Sequence, residues 1–256
     1  MRQCLMRKEE CPWSSRIQIK PNFVKKCYLW GVEQRIIVKR RERKYRLIAI
    51  YINFAQKYTM TIETHPLSPF LPPRAKTLFL GSFPPPRFRW SIEFFYPNWI
   101  NDFWRIMGIV FFDDKSYFEI PGKKMFDKEK IVAFAESQRL AFFDTATKVR
   151  RLNDDASDKF LEIIQPTDVL GMIGRMPECT DVVTTGGKAS DELLCQLSPF
   201  FADGKPQQPK VGEYAEVSID GRLIRWWRMP SSSRAYPLPI GKKSDFYRRI
   251  FQLVTE

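Results

Sequence analysis

The stretch Leu78-Phe79-Leu80-Gly81-Ser82-Phe83-Pro84-Pro85-Pro86 decides the fold class. With Thr77 ahead of it, the apolar run reads as a short strand, Thr77–Gly81, lacking the polar alternation of a half-exposed strand. Gly81 permits a tight exit from that strand. Three consecutive prolines then fix φ and remove three N–H donors, so the loop is stiff and cannot join a ladder. A second stretch, Trp226-Trp227-Arg228-Met229-Pro230-Ser231-Ser232-Ser233-Arg234, repeats the arrangement near the other end of the chain. In an open α/β sheet, ligands bind beyond the carboxyl ends of the strands. The two loops are therefore expected side by side, as the jaws of one site.

Between and around them the sequence alternates strands and helices. Aromatic and aliphatic residues at Trp99, Phe103, Trp104 and Met107 predict a helix over Asn98–Met107, closed by Gly108. A helix is expected over Asp127–Arg139 and a strand over Leu140–Asp144. The pattern then gives a helix over Asp155–Ile164 stopped by Pro166, and strands over Asp168–Ile173 and Asp181–Thr185. Gly187 opens a helix through Leu194. Tyr214–Ile219 and Arg222–Arg228 flank Asp220-Gly221, a strong hairpin turn signal. Ser244–Val254 closes the chain as a helix. This alternation implies an α/β protein with a mainly parallel sheet covered on both faces.

The net charge of +13 resembles a nucleic-acid signal, but residues 1–59 hold 15 Lys/Arg against 4 Asp/Glu and the remainder is nearly balanced. Such a segment attracts any polyanion without chemical selectivity. It is read as a basic extension, poorly ordered or upstream of a start at Met60, and residues 60–256 as the folded body. Apolar content of 44% with 21 Phe and 7 Trp suits a sizeable core. No apolar run reaches membrane-spanning length and no secretory leader is visible, so a cytoplasmic protein without a membrane partner is expected. The five scattered cysteines suit reduced thiols, and no metal or cofactor is expected. The single histidine, His65, is read as excluding a His-rich metal site and most His-based catalysis.

The ordered set of motifs resembles the uracil-DNA glycosylase superfamily, nearest its mismatch-specific (G:T/U) branch. Leu80-Gly81-Ser82-Phe83-Pro84 stands in the place of that branch's Gly-Ile-Asn-Pro-Gly. Arg228-Met229-Pro230-Ser231-Ser232-Ser233-Arg234 stands in that of its Leu-Pro-Asn-Pro-Ser-Gly-Leu-Ser-Arg. Phe94-Phe95-Tyr96-Pro97 followed by Asn101-Asp102-Phe103-Trp104 is similar to Phe-Ala-His-Pro then Asn-Arg-Phe-Trp. Thr185-Gly186-Gly187-Lys188-Ala189 resembles Leu-Gly-Lys-Gln-Ala.

The resemblance implies a three-layer α/β/α sandwich around a central, mainly parallel sheet, preceded by the basic N-terminal extension. It implies a monomeric DNA N-glycosylase of base excision repair, a hydrolase that flips a damaged or mismatched base, such as uracil, out of the duplex. The alternative is a catalytically impaired binder of such bases on the same fold. The base pocket would be formed by Gly81, Phe83, Pro84, Phe95, Tyr96, Asn98 and Met229. DNA would be held by Gly187, Lys188, Pro230, Ser231, Ser232, Ser233, Arg234 and Tyr236, with Arg234 or Tyr236 as the wedge into the stack. The chain departs from the family where chemistry is concentrated. Phe83 fills the position of a water-positioning Asp or Asn, and Met229 that of a His or Asn that steadies the leaving base. Ser82, Asp102 and Asp144 are the expected catalytic substitutes, with Asn98 and Asn101 as further candidates.

Overall fold

The computed structural model describes residues 62–151, 160–201 and 206–252, all within the compact unit Ala55–Glu256. The basic segment 1–59 lies outside the described residues. Eight strands are present among them: β1 (Ile62–Thr64), β2 (Thr77–Gly81), β3 (Leu140–Asp144), β4 (Ala146–Arg151), β5 (Leu161–Pro166), β6 (Asp181–Thr185), β7 (Tyr214–Ile219) and β8 (Arg222–Met229). The helices are α1 (Phe103–Phe112), α2 (Lys128–Ser137), α3 (Val169–Gly174), α4 (Gly187–Leu197) and α5 (Ile240–Gln252).

The main sheet has the order β3-β2-β6-β8-β7, with every pair parallel except the β7–β8 hairpin. Strands β2, β3 and β6 are buried at every residue, and in β2 and β3 this shows as continuous apolar runs. The chain steps from β2 to β3 in one direction and from β3 to β6 in the other. Right-handed crossovers therefore carry α1 and α2 to one face and α3 and α4 to the opposite face. The closing helix α5 packs on α1, and Phe111 of α1 joins Phe134 of α2 to Phe251 of α5. On this face an aromatic cluster of Phe79, Phe94, Phe103, Trp104 and Phe142 fills the core. Each such fully buried ring contributes about 2–3 kcal/mol of transfer free energy.

A second, three-stranded antiparallel sheet has the order β1-β4-β5. Only Thr145 separates β3 in the main sheet from β4 in the small one. Its amide and hydroxyl both donate to the Gly81 carbonyl, at 2.9 and 3.2 Å. The Thr167 hydroxyl donates to the Asp144 carbonyl at 2.7 Å. The small sheet is thereby clamped to the carboxyl ends of β2 and β3.

The expected helix over Asp155–Ile164 is corrected for its described part, because Leu161–Pro166 is a strand paired with β4. Residues 155–159 lie outside the described residues. The expected strand over Asp168–Ile173 is instead helix α3, capped by the Asp168 carboxylate accepting from Gly171 N at 2.9 Å. Helix α1 starts at Phe103 rather than Asn98 and runs through Gly108. Glycine there is a packing requirement, since a Cβ would strike the Asp114 carbonyl oxygen. The helix ends at Asp113, which adopts φ 53°. Helix α5 begins at Ile240, four residues before the expected Ser244.

Both described cysteines carry free thiols. Burial pushes the Cys179 thiol up to about 12, so it stays protonated and unreactive at mildly alkaline pH. Alkylation of the native protein at pH 8 should label the exposed Cys195 and leave Cys179 untouched until denaturant is added. Peptide mass mapping checks this.

Candidate functional site

The strand registers bring four carboxyl ends to one level. Gly81 pairs with Asp144, Leu80 with Thr184, and Thr185 with Met229. Beyond this line lies a cavity of about 530 Å³, within the size range of small-molecule sites. The triproline loop contributes Ser82, Phe83, Pro84 and Pro85 to its wall, and the serine loop contributes Ser231, Ser232, Ser233 and Arg234. The two jaws thus share one cavity, a consequence of β2 and β8 flanking β6.

At the cavity floor the Asp144 carboxylate meets His65. The His65 Nε2 lies 3.0 Å from Asp144 Oδ2, and the His65 side chain is 3% exposed. The imidazole is packed by Phe83, Phe143 and Phe95, with ring centroids at 5.2, 4.5 and 6.3 Å. Its Nδ1 lies 2.8 Å from the Leu67 carbonyl and 3.2 Å from the Leu67 amide. With Asp144 ionised, Nε2 must carry a proton toward the carboxylate. The neutral ring then accepts from Leu67 N–H, and the imidazolium instead donates to the Leu67 carbonyl. In both cases Asp144 is held in one orientation by a hydrogen-bond donor. Its other oxygen lies over Gly81, where any Cβ would press on Oδ1 well inside contact distance. Glycine at position 81 is thus needed as much for the carboxylate as for the turn.

The reading of His65 as excluding a His-rich metal site and most His-based catalysis does not foresee its contact with Asp144. Its partner is 79 residues away in sequence, and a three-residue strand gives no pattern from which to read the pairing. Substituting Phe at His65 keeps an aromatic ring against Phe83 and Phe143 but strips the donor from a nearly closed carboxylate. We expect a stability loss of about 1–3 kcal/mol, measured by urea unfolding, with the native circular dichroism spectrum retained.

Tyr96 lines the same cavity. Its ring stacks on Phe103 at 3.7 Å, and its hydroxyl lies 2.9 Å from Thr185 Oγ1. Burial is the largest influence on the Tyr96 phenol and pushes it well above its usual range, so it serves as a neutral hydroxyl. Thr185 in turn donates to the Leu80 carbonyl at 3.4 Å. Phe83 faces the cavity and also packs with the small-sheet cluster of Ala146, Val149 and Leu161. Arg151 of β4 donates to the Pro84 carbonyl at 2.6 Å and sits 5.6 Å from the Phe83 ring, bracing the triproline loop. Phe95 is 4% exposed and serves both core and cavity wall.

The serine loop is tied down on three sides. Asp102 N donates to the Ser232 carbonyl at 3.0 Å. Lys243 Nζ donates to the Ser233 carbonyl at 2.7 Å, and Tyr247 donates to the Pro230 carbonyl at 2.9 Å. Within the loop, Ser231 Oγ accepts from Ser233 N, and Ser233 Oγ accepts from Ala235 N. Burial lowers the Lys243 amine from its ordinary value, partly offset by Asp102.

The structure gathers most, not all, of the expected residues. Ser82, Asp144, Gly81, Phe83, Pro84, Phe95, Tyr96, Asn98, Asn101, Ser231, Ser232, Ser233, Arg234 and Tyr236 line the cavity. Asp102 does not. It is 7% exposed, and Oδ1 accepts from Arg234 Nε at 2.8 Å with Arg105 3.8 Å away. Its carboxylate joins the start of α1 to the serine loop. Met229 is 1% exposed and lies below the cavity in the core. Pro230 is buried. Gly187 and Lys188 open α4 outside the cavity wall, although the preceding Gly186 abuts Ser231.

Among the described residues no helix is long and apolar enough to cross a membrane. No family model matches the chain, nor does any curated protein. The solution NMR structure of a "putative Uracil DNA glycosylase" from Methanosarcina acetivorans is similar, with a TM-score of 0.51 and 18% identity over 77% of this chain and 100% of that one. At that identity the likeness is one of fold, and the chain has a uracil-DNA glycosylase-like α/β fold: a central, mostly parallel sheet with flanking helices.

Proposed function

We propose that this chain is a DNA glycosylase-like protein that takes an everted damaged or mismatched base into the cavity and hydrolyses its N-glycosidic bond. The observation that carries the reading is Asp144, a carboxylate lining the cavity and locked by the buried His65. Such a group can orient water and take its proton as attack proceeds, and its negative charge favours the positive charge that develops on a sugar during glycosidic cleavage. Phe83, Phe95 and Tyr96 offer the π-faces against which a planar base can lie. Tyr96 and Asn98 supply neutral polar contacts for its edge. On the rim, Ser231–Ser233 and Arg234, with Tyr236 and the nearby Gly187 and Lys188, are suited to the phosphates on either side of the everted nucleotide. Asp102 and Met229 act from beneath, holding the serine loop and filling the core.

The test uses labelled duplexes carrying uracil, hypoxanthine, xanthine or a G:T mismatch, followed by alkaline cleavage of abasic sites. Strand breaks on at least one lesion support the reading. Tight lesion binding without abasic product identifies instead a catalytically impaired binder, the reading favoured by Phe83 and by the burial of Met229. Absence of both binding and cleavage removes DNA as the partner.

A further inference from the structure

The most exposed large apolar side chain among the described residues is Phe88, at 79%. It stands at the mouth of the cavity, whose wall includes its neighbours Pro85 and Arg89. The ring does not hang from a slack loop. Pro84–Pro86 fix the backbone on one side, and a short 3-10 turn, Arg87–Arg89, follows directly. Arg89 N donates to the Pro86 carbonyl and Trp90 N to the Arg87 carbonyl. The Trp90 indole donates to the Pro85 carbonyl at 2.7 Å. A backbone bridge between Trp90 and Asn98 then binds the turn to the cavity wall.

A rigid turn that holds a phenyl ring in water between two arginines has no folding purpose that the core explains. Burying the ring would stabilise the protein, and its one ring contact among the described residues is with the Arg89 guanidinium 5.6 Å away. Ile100, 53% exposed and part of the cavity wall, adds a second apolar surface at the same mouth. Arg89 beside the ring and Arg234 on the facing jaw offer positive charge to a polyanion, while Arg87 is paired with Glu93 at 2.6 Å. Apolar side chains inserted between base steps are how many proteins unstack and kink a duplex. Arg234 is the weaker choice for that task, because its guanidinium is engaged by Asp102 at 2.8 Å.

We infer that Phe88 is the wedge of this protein, entering the base stack where the everted nucleotide has left it, with Arg89 against an adjoining phosphate. The inference rests on the base-flipping reading above and adds to it a named side chain on the triproline jaw. A wedge matters only where a stack must be opened. Single-stranded substrates need little or no unstacking.

The test compares Phe88→Ala and Phe88→Trp with the unaltered protein on one lesion, presented in duplex and in single-stranded oligonucleotide. Circular dichroism first confirms the native spectrum of each variant. Phe88→Ala should lower the rate on duplex roughly 10- to 100-fold and leave the single-stranded rate within about twofold, and Phe88→Trp should restore most of the loss. An equal loss on both substrates, or none on the duplex, overturns the assignment. If the unaltered protein excises no base, the glycosylase reading fails and the wedge is judged by binding alone. A duplex with 2-aminopurine beside an abasic site then reports insertion as a fluorescence change. That change must be absent in Phe88→Ala, and its persistence there overturns the inference.

Discussion

Asp144→Asn should abolish base release while leaving the fold and lesion binding in place. The substitution is isosteric, so the amide oxygen can still accept from His65 Nε2 at the 3.0 Å seen for the carboxylate. The backbone anchors of position 144, the Thr167 hydroxyl on its carbonyl and Thr145 on Gly81, do not involve the side chain. What disappears is the basic oxygen and the negative charge facing the cavity. A general base positioned on the attacking water is worth about 10²–10⁴-fold in rate. We expect a loss in that range in single-turnover excision, with lesion affinity changed by less than about threefold. An unchanged rate with a different preference among bases would show that Asp144 reads the base edge and does not handle water.

Asp181→Ala should give the largest loss of stability. This carboxylate is fully buried at the start of β6. Its Oδ1 accepts from Arg225 Nε and Trp227 Nε1, both at 2.8 Å. Its Oδ2 accepts from Arg225 NH2 at 2.8 Å and from Thr180 Oγ1 at 2.7 Å. The hydrogen bond to Asp181 is the largest influence on the Arg225 guanidinium and raises it above its ordinary value. Truncation leaves the indole N–H and the buried part of the guanidinium without an acceptor. Breaking one side of a buried pair costs about 3–5 kcal/mol, or roughly 10 °C in Tm for a domain of this size. Asp181→Asn keeps one accepting oxygen but turns an NH2 toward these donors, so it should lose less than the alanine variant but still most of the pair's contribution. Thermal unfolding followed by circular dichroism measures both. A loss below about 1 kcal/mol for the alanine variant would mean that water replaces the carboxylate and that the edge of β8 is looser than its pairing implies.

The parts of this fold legible in the sequence are those whose cause is local. Strands β2 and β3 are fully buried, so their apolar runs announce them. The β7–β8 hairpin is declared by Asp220-Gly221, both at positive φ as a two-residue hairpin turn requires. Segments whose form depends on distant partners carry no such local signal. Leu161–Pro166 carries apolar residues compatible with a helix, and antiparallel pairing to β4 makes it a strand. Val169, Met172 and Ile173 look like a strand when read as one apolar run. Their burial follows a helical stripe, and Asp168 supplied the missed signal as an N-cap three residues ahead of Gly171. The two jaws were legible because two strand ends with stiff loops belong at one edge of a parallel sheet. The His65–Asp144 contact was not, because a β1 of three residues carries no periodicity and its register is set by β4. Nor was the role of Asp102, expected from sequence as a catalytic substitute, because its partner Arg234 comes from the far end of the chain.

The most direct measurement of the central claim is a crystal structure of the protein with a duplex that carries the preferred lesion on a 2′-fluorinated sugar, which resists glycosidic cleavage. The base should lie in the cavity against Phe83 and Tyr96, with its glycosidic carbon facing Asp144. A base still stacked in the duplex, or DNA bound away from the triproline and serine loops, would contradict the account.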